Sequence, residues 1–203
     1  MSTQILMKAS KFIVSLMISA GGFLSFGQAI VHASQSSALV VQPSAAALLT
    51  AAEARAAKEH KNVFLIFHAS WCIWCLRFDD LLNDPTLKPF FDKNYVIVHI
   101  DCLETGAKTS MNNAGWKAMM DTYGATGQGI PYWLFLDPAG KIVATCRSPF
   151  DPDPKGQPGN LGFPDNSQPK DLMYFVGLIQ KSAPQYDKSF ETNLRAYLKS
   201  LSY

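Results

Sequence analysis

Val63-Phe64-Leu65-Ile66-Phe67-His68-Ala69-Ser70-Trp71-Cys72-Ile73-Trp74-Cys75 is the stretch on which the reading of the whole chain turns. Its first six residues are apolar on both faces, as a central strand covered on both sides of a sheet must be. From Cys72 to Leu82, Leu76, Phe78, Leu81 and Leu82 follow a helical pattern that Pro85 stops. Cys72 therefore stands where a helix begins. Unpaired backbone N–H groups and the positive end of the helix dipole stabilise a thiolate at such a place. Cys75 follows one helical turn later, within disulfide reach. A pair so placed can attack a disulfide through Cys72, form a mixed disulfide, and release it when Cys75 attacks the same sulfur.

Outward from this stretch, helix and strand patterns alternate. Upstream, Ser44 is placed to cap a helix over Ala45–Lys58, where Leu48, Leu49, Ala52 and Ala56 recur at helical spacing. Downstream, Tyr95–Ile100 reads as a strand, and a polar loop leads to a short helix at Trp116–Tyr123. Tyr132–Leu136 reads as a third strand, turned by Asp137-Pro138-Ala139-Gly140 into a hairpin with Lys141–Cys146. Ser148–Lys170 holds six of the twelve prolines and three glycines, which predicts a loop of polyproline character. Asp171–Ser182 and Asp187–Ser200 close the chain as helices, split at Ala183-Pro184. This order predicts the α/β class.

The 203 residues suit one domain. Forty-eight per cent apolar residues and thirteen Phe exclude a disordered chain. A net charge of +2 excludes a nucleic-acid binder acting through phosphate contacts. Lys8 and Lys11 precede an uncharged run from Phe12 to Phe26, and small-residue sites end at Ala29 and Ala33. This is the pattern of a secretory signal over residues 1–33. It leaves a domain over residues 34–203, with a core at about 44–146, the proline-rich loop at 148–170 and C-terminal helices at 171–201. Removing the signal takes away two lysines and no acid, so sixteen charges of each sign remain. The alternative is an uncleaved anchor, since the twenty uncharged residues Phe12–Val31 could just span a bilayer. Either way the domain is outside the cytoplasm, where cysteines can be oxidised.

Other uses of the cysteine pair fit less well. A zinc site needs two further ligands, and Cys102 and Cys146 stand alone with no histidine at the usual interval. Covalent haem attachment needs His after the second Cys, where this chain has Leu76. No metal and no cofactor is expected. A purely structural disulfide stays open, because an exported protein would also oxidise a staple.

The segment from Val63 to Ala144 resembles the thioredoxin superfamily, whose Trp-Cys-x-x-Cys motif follows a strand and opens a helix. A second match is Gly129-Ile130-Pro131 immediately before a strand, similar to that family's cis-proline loop. The resemblance implies a thioredoxin-like three-layer fold, a central mixed sheet flanked by helices, with a first strand at about Ala38–Val41. It implies Cys72 and Cys75 as the catalytic pair, Pro131 as the cis residue packed beside them, and the backbone of Ile130 as a pairing site for an extended substrate. Trp71 and Trp74 would bracket the sulfur with apolar surface for such a substrate. The alternative is that one of them packs against the loop after Cys102. In this fold's strand order Cys102 and Cys146 would end strands about 14 Å apart, beyond the ~7 Å that a disulfide bridges. Cys102 then reads as a third redox thiol or as a buried free thiol.

The chain departs from thioredoxins proper at several points. Ile73-Trp74 replaces their Gly-Pro, Ile66 stands where they bury an aspartate, and an apolar residue near Ile97 replaces their lysine. The family's proton relay therefore does not carry over, and Asp101, Glu104 or a water become candidate acceptors. Asp79 and Asp80 read as solvated. His68, just before the active-site loop, could raise the thiolate fraction of Cys72 if its ring turns toward the sulfur.

The function expected is that of an exported, periplasmic thiol–disulfide oxidoreductase, or one membrane-anchored and facing the periplasm if the signal is uncleaved. It looks similar to the exported thioredoxin-like group of bacteria that includes the C-terminal domain of the transmembrane reductase. Its partners would be exported proteins with cysteines or disulfides and a redox partner protein. The alternative is a thioredoxin-like binding or assembly module with a structural disulfide, using Trp71, Trp74 and Tyr132 as an adhesive surface.

Overall fold

The computed structural model describes residues 42–150, 152, 156–165 and 167–201. The expected secretory signal and the expected first strand at Ala38–Val41 lie outside the described residues.

Helix α1, Ala45–Glu59, starts at Ser44, whose side-chain oxygen accepts from the Ala47 N–H at 3.1 Å, and ends at His60 in the left-handed conformation (φ 55°). Strand β1, Asn62–His68, leads through a short loop into helix α2, Ile73–Asn83. Helix α3, Lys88–Asn94, runs directly into strand β2, Tyr95–Asp101. This helix was not expected from the sequence; Pro89 sits in its first turn, where a missing N–H costs nothing. A 3₁₀ turn at Gly106–Met111 occupies the polar loop, followed by helix α4, Trp116–Thr122. Strands β3, Tyr132–Leu136, and β4, Ile142–Thr145, form the expected hairpin. Helices α5, Pro169–Ser182, and α6, Ser189–Ser200, complete the chain.

The sheet order is β2-β1-β3-β4, with β1 parallel to β2 and antiparallel to β3. The central position of β1 explains its composition, for Val63 to Phe67 are all buried. Phe64, paired with Phe135 and Ile97, lies at the middle of an aromatic cluster. Its ring centroid is 4.4 Å from Phe135, 5.6 Å from Tyr95, 5.8 Å from Trp133 and 5.9 Å from Phe78 of α2. Phe175 of α5 joins through Trp133 and Phe78. One face of the sheet thus packs on α2, α3 and α5. Helix α1 packs on β1, β2 and α4. The chain has the expected mixed sheet with flanking helices.

The proline-rich segment is not wholly irregular. Strands β5, Arg147–Ser148, and β6, Gly159–Asn160, pair antiparallel and fold the segment back on the domain. Two buried asparagines fix other loops. Asn113 accepts from the Asp101 N–H (2.7 Å) and donates to the Pro43 carbonyl (2.9 Å). Asn94 accepts from the Gln185 N–H at 2.7 Å. Such bonds satisfy backbone groups that no strand or helix serves.

Candidate active site

The site begins where β1 ends. After His68 the chain turns over Ala69, Ser70 and Trp71, with the Cys72 N–H donating to the Ala69 carbonyl at 3.0 Å. Cys72 is the N-cap of α2, in extended conformation (φ −83°, ψ 105°), and its sulfur accepts from the Cys75 N–H at 3.1 Å. The two cysteines form a disulfide with their Cα atoms 5.2 Å apart. Cys72 is 4% and Cys75 1% exposed.

The second part comes from the loop before β3. The Ile130–Pro131 peptide bond is cis. The Cys72 sulfur lies 3.4 Å from the Ile130 carbonyl oxygen, and the Ile130 side chain packs on Ala69, Cys72 and Cys75. The structure therefore brings Cys72, Cys75, Ile130 and Pro131 together. Around them, Trp71 (57%), Ile73 (57%), Trp74 (43%) and Leu76 (46%) leave large apolar side chains exposed. Exposed apolar surface clustered at one place marks a binding surface more often than chance.

The two tryptophans behave differently. The Trp71 indole donates to the Leu103 carbonyl at 3.1 Å, so this residue packs on the loop after Cys102. Trp74 faces the other way, its ring 6.0 Å from Phe163, with the Arg77 guanidinium 4.8 Å from its centroid. Tyr132, which the binding-module reading placed on the surface, is instead buried, and its hydroxyl donates to the Tyr123 carbonyl at 3.0 Å. Its neighbour Trp133 is buried as well, because β3 is an inner strand with both faces covered.

Charged groups are arranged around the site in a way the sequence did not make plain. Glu104 is buried and holds the active-site loop: its carboxylate accepts from the Ser70 N–H (2.5 Å) and the Ser70 hydroxyl (3.2 Å). The Ser70 hydroxyl also receives Lys108 Nζ at 2.8 Å. Glu104 thus has a positioning contact with the loop two residues before Cys72. Asp101, the other expected acceptor, engages His68 instead, Oδ1 to Nε2 at 2.7 Å. His68 does not turn its ring to the sulfur; it packs against His99, ring centroids 4.7 Å apart. Asp79 is not free in solvent as expected. It is half-buried, with Oδ1 2.8 Å from His99 Nε2. Ile66 pairs with His99 and Trp133, so the position of the missing acid is apolar and the nearest ionisable side chain on the neighbouring strand is His99.

Cys102 and Cys146 are free and buried. Burial, reinforced by the charges of Asp101 and Glu104, pushes the Cys102 thiol up to about 12, and its S–H donates to the His68 carbonyl at 3.4 Å. Burial likewise pushes Cys146 up to about 12. A thiol so raised carries almost no thiolate at neutral pH, so the reading of Cys102 as a third redox thiol is set aside. Among the described residues no cluster of three or more His, Cys, Asp or Glu is arranged to hold a metal ion.

Sequence reasoning missed Asn160, which lies in the proline-rich segment. Its amide donates to the Gly129 carbonyl (2.5 Å) and the Pro131 carbonyl (3.1 Å), on either side of Ile130. Nothing local in Pro158-Gly159-Asn160 signals this, because the contact depends on how β5 and β6 fold back.

Residues 45–138 match a protein family described as thioredoxin-like. No curated protein matches the chain. Among solved structures, the chain is similar to a disulphide isomerase from Xylella fastidiosa Temecula1, 24% identical, over 48% of this chain and 69% of that one, with a TM-score of 0.40. It is similar to a DsbH oxidoreductase, 19% identical, over 79% and 85%, with a TM-score of 0.39. The C-terminal domain of DsbD from Neisseria meningitidis, in the oxidised form, is 23% identical over 52% and 84%, with a TM-score of 0.38. With the family match over residues 45–138 and a Cys-x-x-Cys pair between strand and helix beside a cis-proline loop, this part of the chain forms a thioredoxin-like domain.

Proposed function

We propose that this protein is an exported thiol–disulfide oxidoreductase that exchanges disulfides with cysteines of other proteins. The observation that carries this reading is the place of the Cys72 sulfur, which caps α2 on one side and meets the Ile130 carbonyl on the other. In the reduced protein a Cys72 thiolate would accept the same Cys75 N–H, which favours the charged form.

Written for reduction of a substrate, the Cys72 thiolate attacks one sulfur of the substrate disulfide. A Cys72–substrate disulfide forms, and the other substrate sulfur leaves as thiolate and takes up a proton. Cys75, losing its proton, then attacks the Cys72 sulfur. The Cys72–Cys75 disulfide forms, the second substrate thiol is released, and two electrons have passed to the substrate. A dithiol on a redox partner protein restores the pair by the same steps; in the oxidising direction they run in reverse.

Export is supported by Lys8, Lys11 and the apolar run after them, and the placement expected is periplasmic. No helix among the described residues is long and apolar enough to cross a membrane. The test is turnover of a protein disulfide with dithiothreitol as donor. The protein should accelerate reduction and Cys72→Ser should abolish the acceleration; undiminished activity in Cys72→Ser would overturn the role given to Cys72, and no acceleration by the wild type would leave only the binding-module reading.

A further inference from the structure

The segment that follows β4 is built onto the active site. The Leu161 N–H donates to the Cys146 carbonyl at 2.9 Å, and the Trp133 indole donates to the Gly162 carbonyl at 2.8 Å. Asn160 holds the carbonyls of Gly129 and Pro131 with its amide nitrogen and accepts from the Gly162 N–H at 3.0 Å. Phe163 is buried, its ring against Trp74 and, at 6.4 Å, against Phe78. The segment is thereby tied to β3 through Trp133, to the loop before β3 through Gly129 and Pro131, to α2 through Trp74 and Phe78, and to Cys146 after β4.

Between this segment and the start of α2 lies a cleft of about 280 Å³, walled by Trp74, Ile130, Pro131, Leu161 and Phe163, with Asn160 and Asp165 also on its lining. The two polar side chains are already engaged. Asn160 Nδ2 bonds the two carbonyls, and the Asp165 carboxylate accepts from the Ser167 N–H (2.8 Å) and hydroxyl (2.6 Å). The other side chains that face a guest, those of Trp74, Ile130, Pro131, Leu161 and Phe163, are apolar. That volume stands at the small end of ligand pockets, about 300–1,000 Å³, and is enough for one large side chain. The cleft also opens at Ile130, whose carbonyl is 3.4 Å from the Cys72 sulfur. A chain joined to Cys72 by a disulfide would therefore have a flanking residue at its mouth.

We propose that the segment Asn160–Phe163 is a specificity-determining wall: it receives a bulky apolar side chain next to the reacting cysteine of an extended substrate polypeptide. This rests on the oxidoreductase reading and adds the substrate feature selected. The position of Leu161 makes it the most direct probe, since it lines the cleft while Phe163 is buried beneath Trp74.

The experiment uses the reduced mature protein and two disulfide-bonded peptides that differ only in having Phe or Ser beside the cysteine, with hydroxyethyl disulfide as a featureless substrate. The wild-type protein should prefer the Phe peptide by about tenfold or more, as burial of one large apolar side chain allows. Leu161→Asp, its fold checked by circular dichroism, should bring that ratio to within about twofold; Leu161→Ala, the milder variant, should lower it in the same direction. Equal rates for the two peptides in the wild type, or an undiminished ratio in either folded variant, would overturn the proposal. If the wild type reduces none of the three disulfides, the oxidoreductase reading fails; if it reduces hydroxyethyl disulfide without discriminating the peptides, only the assignment of the wall fails.

Discussion

The sulfur of Cys72 and the carbonyl oxygen of Ile130 stand 3.4 Å apart although 58 residues separate them in the chain. The disulfide-bonded pair and the loop before β3 consequently form one surface, and residues that hold either part in place bear on the chemistry proposed for it. Glu104 acts on the cysteine loop through Ser70, and Asn160 acts on the Ile130 loop through its two neighbouring carbonyls.

Removing Glu104 should loosen the cysteine loop. Glu104→Ala leaves the Ser70 N–H without its acceptor, at a cost of about 1–3 kcal/mol. Glu104→Gln keeps one acceptor oxygen and should cost less. Urea unfolding of the oxidised protein measures both, and an Ala variant as stable as wild type would show that the contact carries no stability.

Stability should fall on acidification through His68. Burial, with the repulsion of nearby His99, lowers the His68 pKa from 6.5, outweighing the attraction of Asp101 and Asp79. The unfolded chain then binds a proton that the native state refuses as pH drops below 6.5. The His68 contribution is thus unimpaired above that pH and is lost as pH falls toward the lower native pKa. The urea midpoint should drop between about pH 7.5 and about pH 5.5, and drop less in His68→Gln. The same drop in both proteins would assign the effect to other groups.

Cys102 and Cys146 should resist alkylation in the oxidised native protein. With both thiols pushed up to about 12 and buried, iodoacetamide near neutral pH should add no label until denaturant is present, and then two. Mass spectrometry counts the labels, and a native protein labelled at Cys102 would restore it as a reactive thiol.

The aromatic cluster should dominate stability. Phe64, on β1, touches rings from β2, β3 and α2, so Phe64→Ala should cost about 3–5 kcal/mol. Thermal or urea unfolding tests this; a loss below about 1 kcal/mol would mean that the cavity collapses readily.

What the sequence made legible was local. The run Val63–His68, the helical pattern after Cys72 and the turn at Asp137–Gly140 each carry their own signal, and the elements appear where those signals stand. Gly129-Ile130-Pro131 was legible through resemblance, and the loop does lie against the cysteines. What was not legible depends on packing between distant segments. Asp79 meets His99 because α2 lies across β2, a relation that neither residue's neighbours encode. Tyr132 looked available as a surface aromatic, but an inner strand buries both of its faces. Asn160 sits in a segment whose prolines argued for a loop of polyproline character, and long-range contacts, among them its pairing with Arg147, bring it to the site. The short helix Lys88–Asn94 was hidden because its seven residues are too few for a periodic pattern to stand out.

In the proposed mechanism Cys72 is the attacking sulfur and Cys75 the resolving one. The most direct measurement is mass spectrometry of reduced Cys75→Ser after incubation with a protein disulfide. A stable mixed disulfide mapped to Cys72 is expected, absent when Cys72 is also replaced. No adduct, or an adduct mapped to Cys102 or Cys146, would contradict it.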